Sequence, residues 1–226
     1  MGLVAVEVDF LEEVLLALGK LFKDLEDNRN KIEGAIAQIE SKTIGELVPV
    51  IIKTSDLYLA ANLRFGLITS LLTPLLIYYV FPNLVTLDYI FLSIPGFILG
   101  YFIANFPIIK RKLILSRESN EEVHQMAIQY FHHLDLKATQ GRSAILILVS
   151  LLEKRVVILA DSGIHKKLPD GNWDQFLIPL LSHIKNYQLS QGLCETILGI
   201  GKILELHFPS KGENLNEIPN RLIIDV

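Results

Sequence analysis

A chain of 226 residues that is 50% hydrophobic and 20% charged, with a mean hydropathy of +0.39, is too apolar for an ordinary soluble domain and too long for a bare membrane anchor. Of its 21 Lys and Arg and 25 Asp and Glu residues, only Asp88 falls between Phe65 and Ile109. That distribution excludes a disordered chain, a multi-span carrier and a purely soluble enzyme, and a net charge of -4 leaves no basic face for nucleic acid.

The chain opens on MGLVAVEVDFLEE, which has acids where an export signal needs an apolar core, and Val6 where a myristoylation site needs Ser or Thr. From Asp9 to Leu25 the residues Leu11, Val14, Leu15, Leu18, Leu21, Phe22 and Leu25 recur every three or four positions, the mark of an amphipathic helix occupying residues 1–26. Asp27 and Asn28 interrupt the pattern. Ile32, Ala35, Ile36 and Ile39 then mark a second helix, and Glu46 to Lys53, ELVPVIIK, reads as a strand in which Pro49 requires an edge or bulged position.

Two apolar runs follow, Phe65 to Phe81 and Tyr89 to Ile109, each near the length that crosses about 30 Å of hydrocarbon. The joint Pro82 to Asp88 forces an antiparallel hairpin. Lys53 and Arg64 precede it, and Lys110, Arg111, Lys112 and Arg117 follow it. The joint itself has no basic residue, so both termini are expected in the cytoplasm, in a two-span protein of the cell membrane. Gly96 and Gly100 form a GxxxG spacing for close helix packing in lipid, either between copies or of one span on the other.

Beyond the hairpin, Ser119 or Asn120 caps a helix through Leu136. Ser143 to Leu152 and Arg155 to Ala160 read as a strand pair, the first strand buried on both faces. Pro169 to Gly171 turns into a helix from Trp173 to about Tyr187, a last helix covers Leu189 to Phe208, and Arg221 to Val226 could add a strand. One strand before the hairpin cannot fold alone, so residues 27–64 and 110–226 should form one α/β domain interrupted by the hairpin of residues 65–109.

Several motifs look familiar together. Ile32 to Lys53, IEGAIAQIESKTIGELVPVIIK, and then His124 to Ala127, Arg142 to Ile147, Glu153 to Val156, Ala160 to Ile164, Trp173, Gly192 with Leu193, His207 to Pro209 and Asn216 to Pro219 resemble, in order, the membrane branch of the TPM-domain family. The resemblance implies a TPM-like sandwich, a small central sheet flanked by helices. Some TPM relatives are linked to divalent metals and phosphatase-like activity, but the resemblance implies no reaction for the membrane branch. This chain also has Ala160, Asp161, Ser162 and Gly163 where the phosphatase-like members carry a glycine-rich stretch.

Asp161, at a strand end before Gly163, is the leading ligand candidate, with Asp170, Asp174 and Glu217 as carboxylates that could join it around Ca2+ or Mg2+. Asp170 doubles as a helix cap. Cys194 lies among Leu193, Ile197 and Leu198 as a small hydrophobe, the six histidines lack the spacing of a zinc protease, and Gly199 to Lys202 is better explained by helix packing than by phosphate. The reading is a membrane protein whose partners are the bilayer and a protein partner or a second copy. It presents a cytoplasmic TPM-like domain as a tethered interaction or regulatory module. The competing reading is a divalent-metal-dependent phosphatase-like hydrolase.

Overall fold

The computed structural model describes residues 3–139, 141–168, 173–210 and 217–225, with the side chains before Gly19 and that of Asp174 outside the described set. The chain divides into two units, one of Met1–Ser55 with Asn120–Val226 and one of Asp56–Ser119.

The first unit is a mixed α/β layer structure around a four-stranded sheet of order β3-β2-β1-β4. Its strands are β1 (Glu46–Ile52), β2 (Ala144–Ser150), β3 (Arg155–Ala160) and β4 (Ile223–Asp225). β1 pairs in parallel with both β2 and β4, whereas β2 and β3 are antiparallel. Strands before and after the hairpin therefore share one sheet, as the lone early strand required.

Side chains of a strand alternate between faces. Leu47 and Ile51 of β1 with Ile145, Ile147 and Val149 of β2 enter one core, where α1 (Leu3–Glu40), α7 (Asp174–Lys185) and α8 (Leu189–His207) supply Ile32, Ile36, Leu180, Ile197 and Ile200. Val48, Val50 and Ile52 with Leu146 and Leu148 enter the other, against Val123, Ala127 and Phe131 of α5 (Ser116–His133). All seven residues of β2 are buried, and burying each Leu or Ile contributes roughly 1.5–3 kcal/mol before entropic costs. Gly201 lets α8 and α1 approach, since a methyl there would stand 2.3 Å from Ile39 Cδ1.

One expectation for this unit is corrected and two are given their detail. The two amino-terminal helices are one, α1. Leu25 and Ile32, two turns apart, are both fully buried on one face, and Asn28 donates to Asp24 O at 2.9 Å, so the polar pair stays within the helix. The last strand forms, bringing the sheet to four. Pro49 lies in a strand that is central over Val50 to Ile52 and open on one side before it, because β4 pairs only with those three residues. Leu47 N–H points away from β2 to Glu40, and Pro49, two residues on, turns its missing donor to that same open side.

The second unit holds α2 (Leu59–Val80), α3 (Thr86–Ile103) and α4 (Pro107–Leu113). α2 and α3 are long and apolar enough to cross a membrane. Their large apolar side chains are mostly exposed, Leu71 at 75% and Tyr79 at 88%. Thr69 Oγ1 donates to Gly96 O at 2.8 Å, and methyls on Gly96 and Gly100 would overlap Thr73 and Thr69, so the GxxxG face is occupied by α2 of the same chain. Asp88, the lone acid of this stretch, accepts from Val85 N at 3.1 Å and caps α3. The expected second span of 89–109 is shorter as a helix: α3 ends at Ile103, and Pro107 opens a new one.

Candidate functional site

The amino-terminal end of β1 gathers the motifs that were scattered along the sequence. Thr43 Oγ1 donates to Phe208 O at 2.6 Å, Gly45 N donates back to Thr43 Oγ1, and Ile44 N donates to Phe208 O, so the His207 to Pro209 segment is fastened to the residues leading into β1. Ser143 Oγ donates to Ile44 O at 2.7 Å and Glu46 N to Ser143 O, which sets the parallel register of β1 on β2. Because β3 runs antiparallel, its last residue Ala160 pairs with Ile145, and Asp161 N donates to Ala144 O. Asp161 thus lies at the amino-terminal end of the parallel strands, not at the carboxyl ends where α/β ligand crevices open.

Two glutamates are buried at this end, Glu40 at 4% and Glu46 at 1% exposure. Glu40 closes α1, and its Oε1 accepts Leu47 N–H at 2.9 Å. Glu46 begins β1, and its Oε1 accepts Glu217 N–H at 3.2 Å on the approach to β4. Burial drives the Glu40 carboxyl up to about 8, with the charge of Glu46 adding to the rise and the Leu47 N–H opposing it. Glu46 is raised for the same first reason, then by Glu217, against the N–H groups of Glu217 and Ile218. Two carboxyls in a shared dry setting hold a proton at neutral pH, because ionising both would place like charges side by side away from water. Glu46 Oε2 is buried with no hydrogen-bond partner.

Asp161 is 5% exposed and caps α6 (Ser162–Lys167), with Oδ1 accepting Ser162 N–H at 2.6 Å. Arg142 Nη1 stands 3.9 Å from the same oxygen, while Oδ2 is buried without a hydrogen-bond partner. Gly163 belongs to this joint because a methyl on it would come within 2.0 Å of Gly141 O. Glu217 reaches the same end of the sheet, but through its backbone N–H, and its side chain is exposed. Asp170 lies outside the described residues, and Asp174 opens α7 with its side chain outside them. Among the described residues, no group of three or more His, Cys, Asp or Glu side chains is arranged to hold a metal.

Glu40 and Glu46 are absent from the sequence candidates, although both stand in the IESKTIGELVPVI stretch that carries the family resemblance. A glutamate ending a helix ordinarily faces solvent. The available signal was its spacing before a strand whose proline leaves a ladder side open.

Two clefts lie elsewhere on this unit. One of about 560 Å³ includes Met126, Tyr130, His133, Arg221 and Asp225, and Tyr130 OH donates to Asp225 Oδ2. Burial and then the Asp225 carboxylate raise the Tyr130 phenol above its ordinary range. The other, of about 450 Å³, includes Asp24, Lys31, Gln191 and Cys194; Asp24 there accepts Ser190 N–H and Oγ–H at 2.8 and 2.7 Å, which ties α1 to the start of α8. Cys194 is half-buried, and burial raises its thiol.

Residues 111–203 match the family model described as the TPM domain, so the resemblance seen in the motifs holds for the part of the chain that carries β2, β3, α5 to α7 and most of α8. The NMR structure of the BA42 protein from the psychrophilic bacterium Bizionia argentinensis sp. nov. is similar in fold. The two share 21% sequence identity over 88% of this chain and 92% of that one, with a TM-score of 0.55. No curated protein matches the chain. The fold likeness extends beyond residues 111–203, in keeping with β1 and β4 being strands of the same sheet.

Proposed function

We propose that α2 and α3 insert as a hairpin in the cell membrane and that the α/β unit is presented in the cytoplasm as a tethered interaction or regulatory module. The observation that carries this is the outward apolar surface of both helices, which is far larger than soluble proteins leave in water. Several hydroxyls of these helices bond within the pair: Thr69 Oγ1 donates to Gly96 O, Thr73 Oγ1 to Thr69 O at 2.7 Å, and Tyr89 OH to Phe81 O at 2.6 Å. Hydrocarbon demands that economy, because it offers no hydrogen bonds of its own. The cytoplasmic orientation follows from the basic residues on both flanks of the hairpin and their absence from Pro82 to Asp88.

The test is a labelling experiment in a Cys194→Ser background with Asn83→Cys. The protein should stay in the membrane pellet after alkaline carbonate washing, and the new thiol should react with a membrane-impermeant maleimide in intact cells. Release by carbonate overturns the insertion. Reaction only after the cells are opened overturns the orientation.

A further inference from the structure

The chain leaves α3 at Ile103 and starts α4 at Pro107, a short helix, PIIKRKL, whose cations Lys110, Arg111 and Lys112 fall in its last turn. Its first residues are apolar, and Phe106 just before it is exposed. α4 packs on α2, so these cations are held at the open end of the hairpin, opposite the Pro82 to Asp88 joint.

The basic groups of this unit differ in what they already bind. Arg64 is engaged by Glu118, Nη1 to Oε2 at 3.0 Å. Lys110 Nζ donates to Leu57 O at 2.7 Å and to Asn105 Oδ1 at 3.4 Å. Arg111 and Lys112 are exposed, and no described residue bonds to either side chain. Asp88, at the far joint, is used as a cap, and Glu118 is used by Arg64.

We infer that α4 is an interfacial helix whose Arg111 and Lys112 side chains bind the phosphates of anionic phospholipids in the leaflet at the open end of the hairpin. This rests on the membrane reading of α2 and α3 and names the lipid class that the reading leaves open. The argument is continuity and charge. Two apolar helices that span hydrocarbon put their ends among headgroups, and α4 begins four residues after α3 ends. The two cations without partners therefore sit at phosphate level, while apolar residues such as Ile108 and Ile109 precede them. A basic side chain near an anionic surface is worth roughly fivefold in local lipid occupancy. The guanidinium of Arg111 also suits a phosphate diester geometrically.

The full chain carrying Trp173→Phe and Phe106→Trp would be reconstituted in phosphatidylcholine vesicles containing either brominated phosphatidylcholine or brominated phosphatidylglycerol, and quenching of the indole read for each. The expected result is binding of the anionic lipid on the order of tenfold over the zwitterionic one, reduced by salt and abolished by Arg111→Gln with Lys112→Gln. Equal quenching by both lipids overturns the headgroup site while leaving the hairpin in the bilayer. A preference that persists in the double variant also overturns it. Absence of quenching by either lipid, with the protein recovered off the vesicles, overturns the membrane reading and this inference with it.

Discussion

Glu40 stands in for a strand: its Oε1 accepts the Leu47 N–H at 2.9 Å on the β4 side of β1, along the stretch that β4 does not cover. A side chain at the end of one helix thus completes the ladder of the central strand. The carboxyl that does so is buried and raised to about 8, principally by that burial.

The raised value has a definite sign in stability. A group held above its unfolded value of 4.5 contributes stability that is fully present below that value and is lost as pH rises through the folded value of about 8. Wild type should therefore lose melting temperature relative to Glu40→Gln as pH goes from 5 to 9. Gln keeps an acceptor for Leu47 N–H and has no charge to bury. A difference growing by several degrees, at roughly 2–4 °C per kcal/mol for a protein of this size, is expected by calorimetry. A pH-independent difference would contradict a proton shared at this site.

One substitution should act in opposite directions at two glycines. Gly163→Ala must displace backbone, because the new methyl would lie 2.0 Å from Gly141 O. It should cost about 1–3 kcal/mol by denaturant melting. Gly34→Ala, on the exposed side of α1 with nothing within 4 Å, should stabilise by about 0.5–1 kcal/mol.

Asp161 is expected to behave as a cap. Asp161→Ala removes the acceptor for Ser162 N–H and should cost about 1 kcal/mol, while Asp161→Asn keeps an acceptor and should cost less. Urea titration of both variants separates the cap from the charge. Equal losses would point to the Arg142 pair instead.

Gly100→Val should weaken the hairpin without changing assembly. A methyl at that position would overlap Thr69 Oγ1 at 1.9 Å, so a larger side chain must push α3 off α2. The expected outcome is a lower melting temperature in detergent with unchanged mass by light scattering. A change of oligomeric mass would place this face between copies.

What could be read from residues alone follows a physical divide. The uniform apolar run of Ala144 to Ser150 and the charge gap around Asp88 are local signals, and the elements they mark are present. The break at Asp27 and Asn28 misled because a polar pair looks like an end, whereas Leu25 and Ile32 continue a single buried stripe. The buried acids were invisible for the reverse reason. Nothing local distinguishes Glu40 from a solvated helix-end glutamate until Leu47 and Glu46 of β1 are brought against it. Asp161 was legible as a polar strand end, but the antiparallel course of β3, which decides where that end lies, is a tertiary fact.

The position of β1 also sets an order of events during synthesis. Ser143 and Ile44, joined across β1 and β2, are 99 residues apart, and the hairpin is made between them. The segment ELVPVII must therefore emerge from the ribosome and wait, unpaired, until the whole apolar hairpin and then β2 have been translated, with β4 arriving last of all. Such a waiting strand is a template for sticking to other nascent chains. Pro49, in its middle, breaks the row of donors that an intruding strand would need, so the residue that looks out of place in the finished sheet guards it while it is being made.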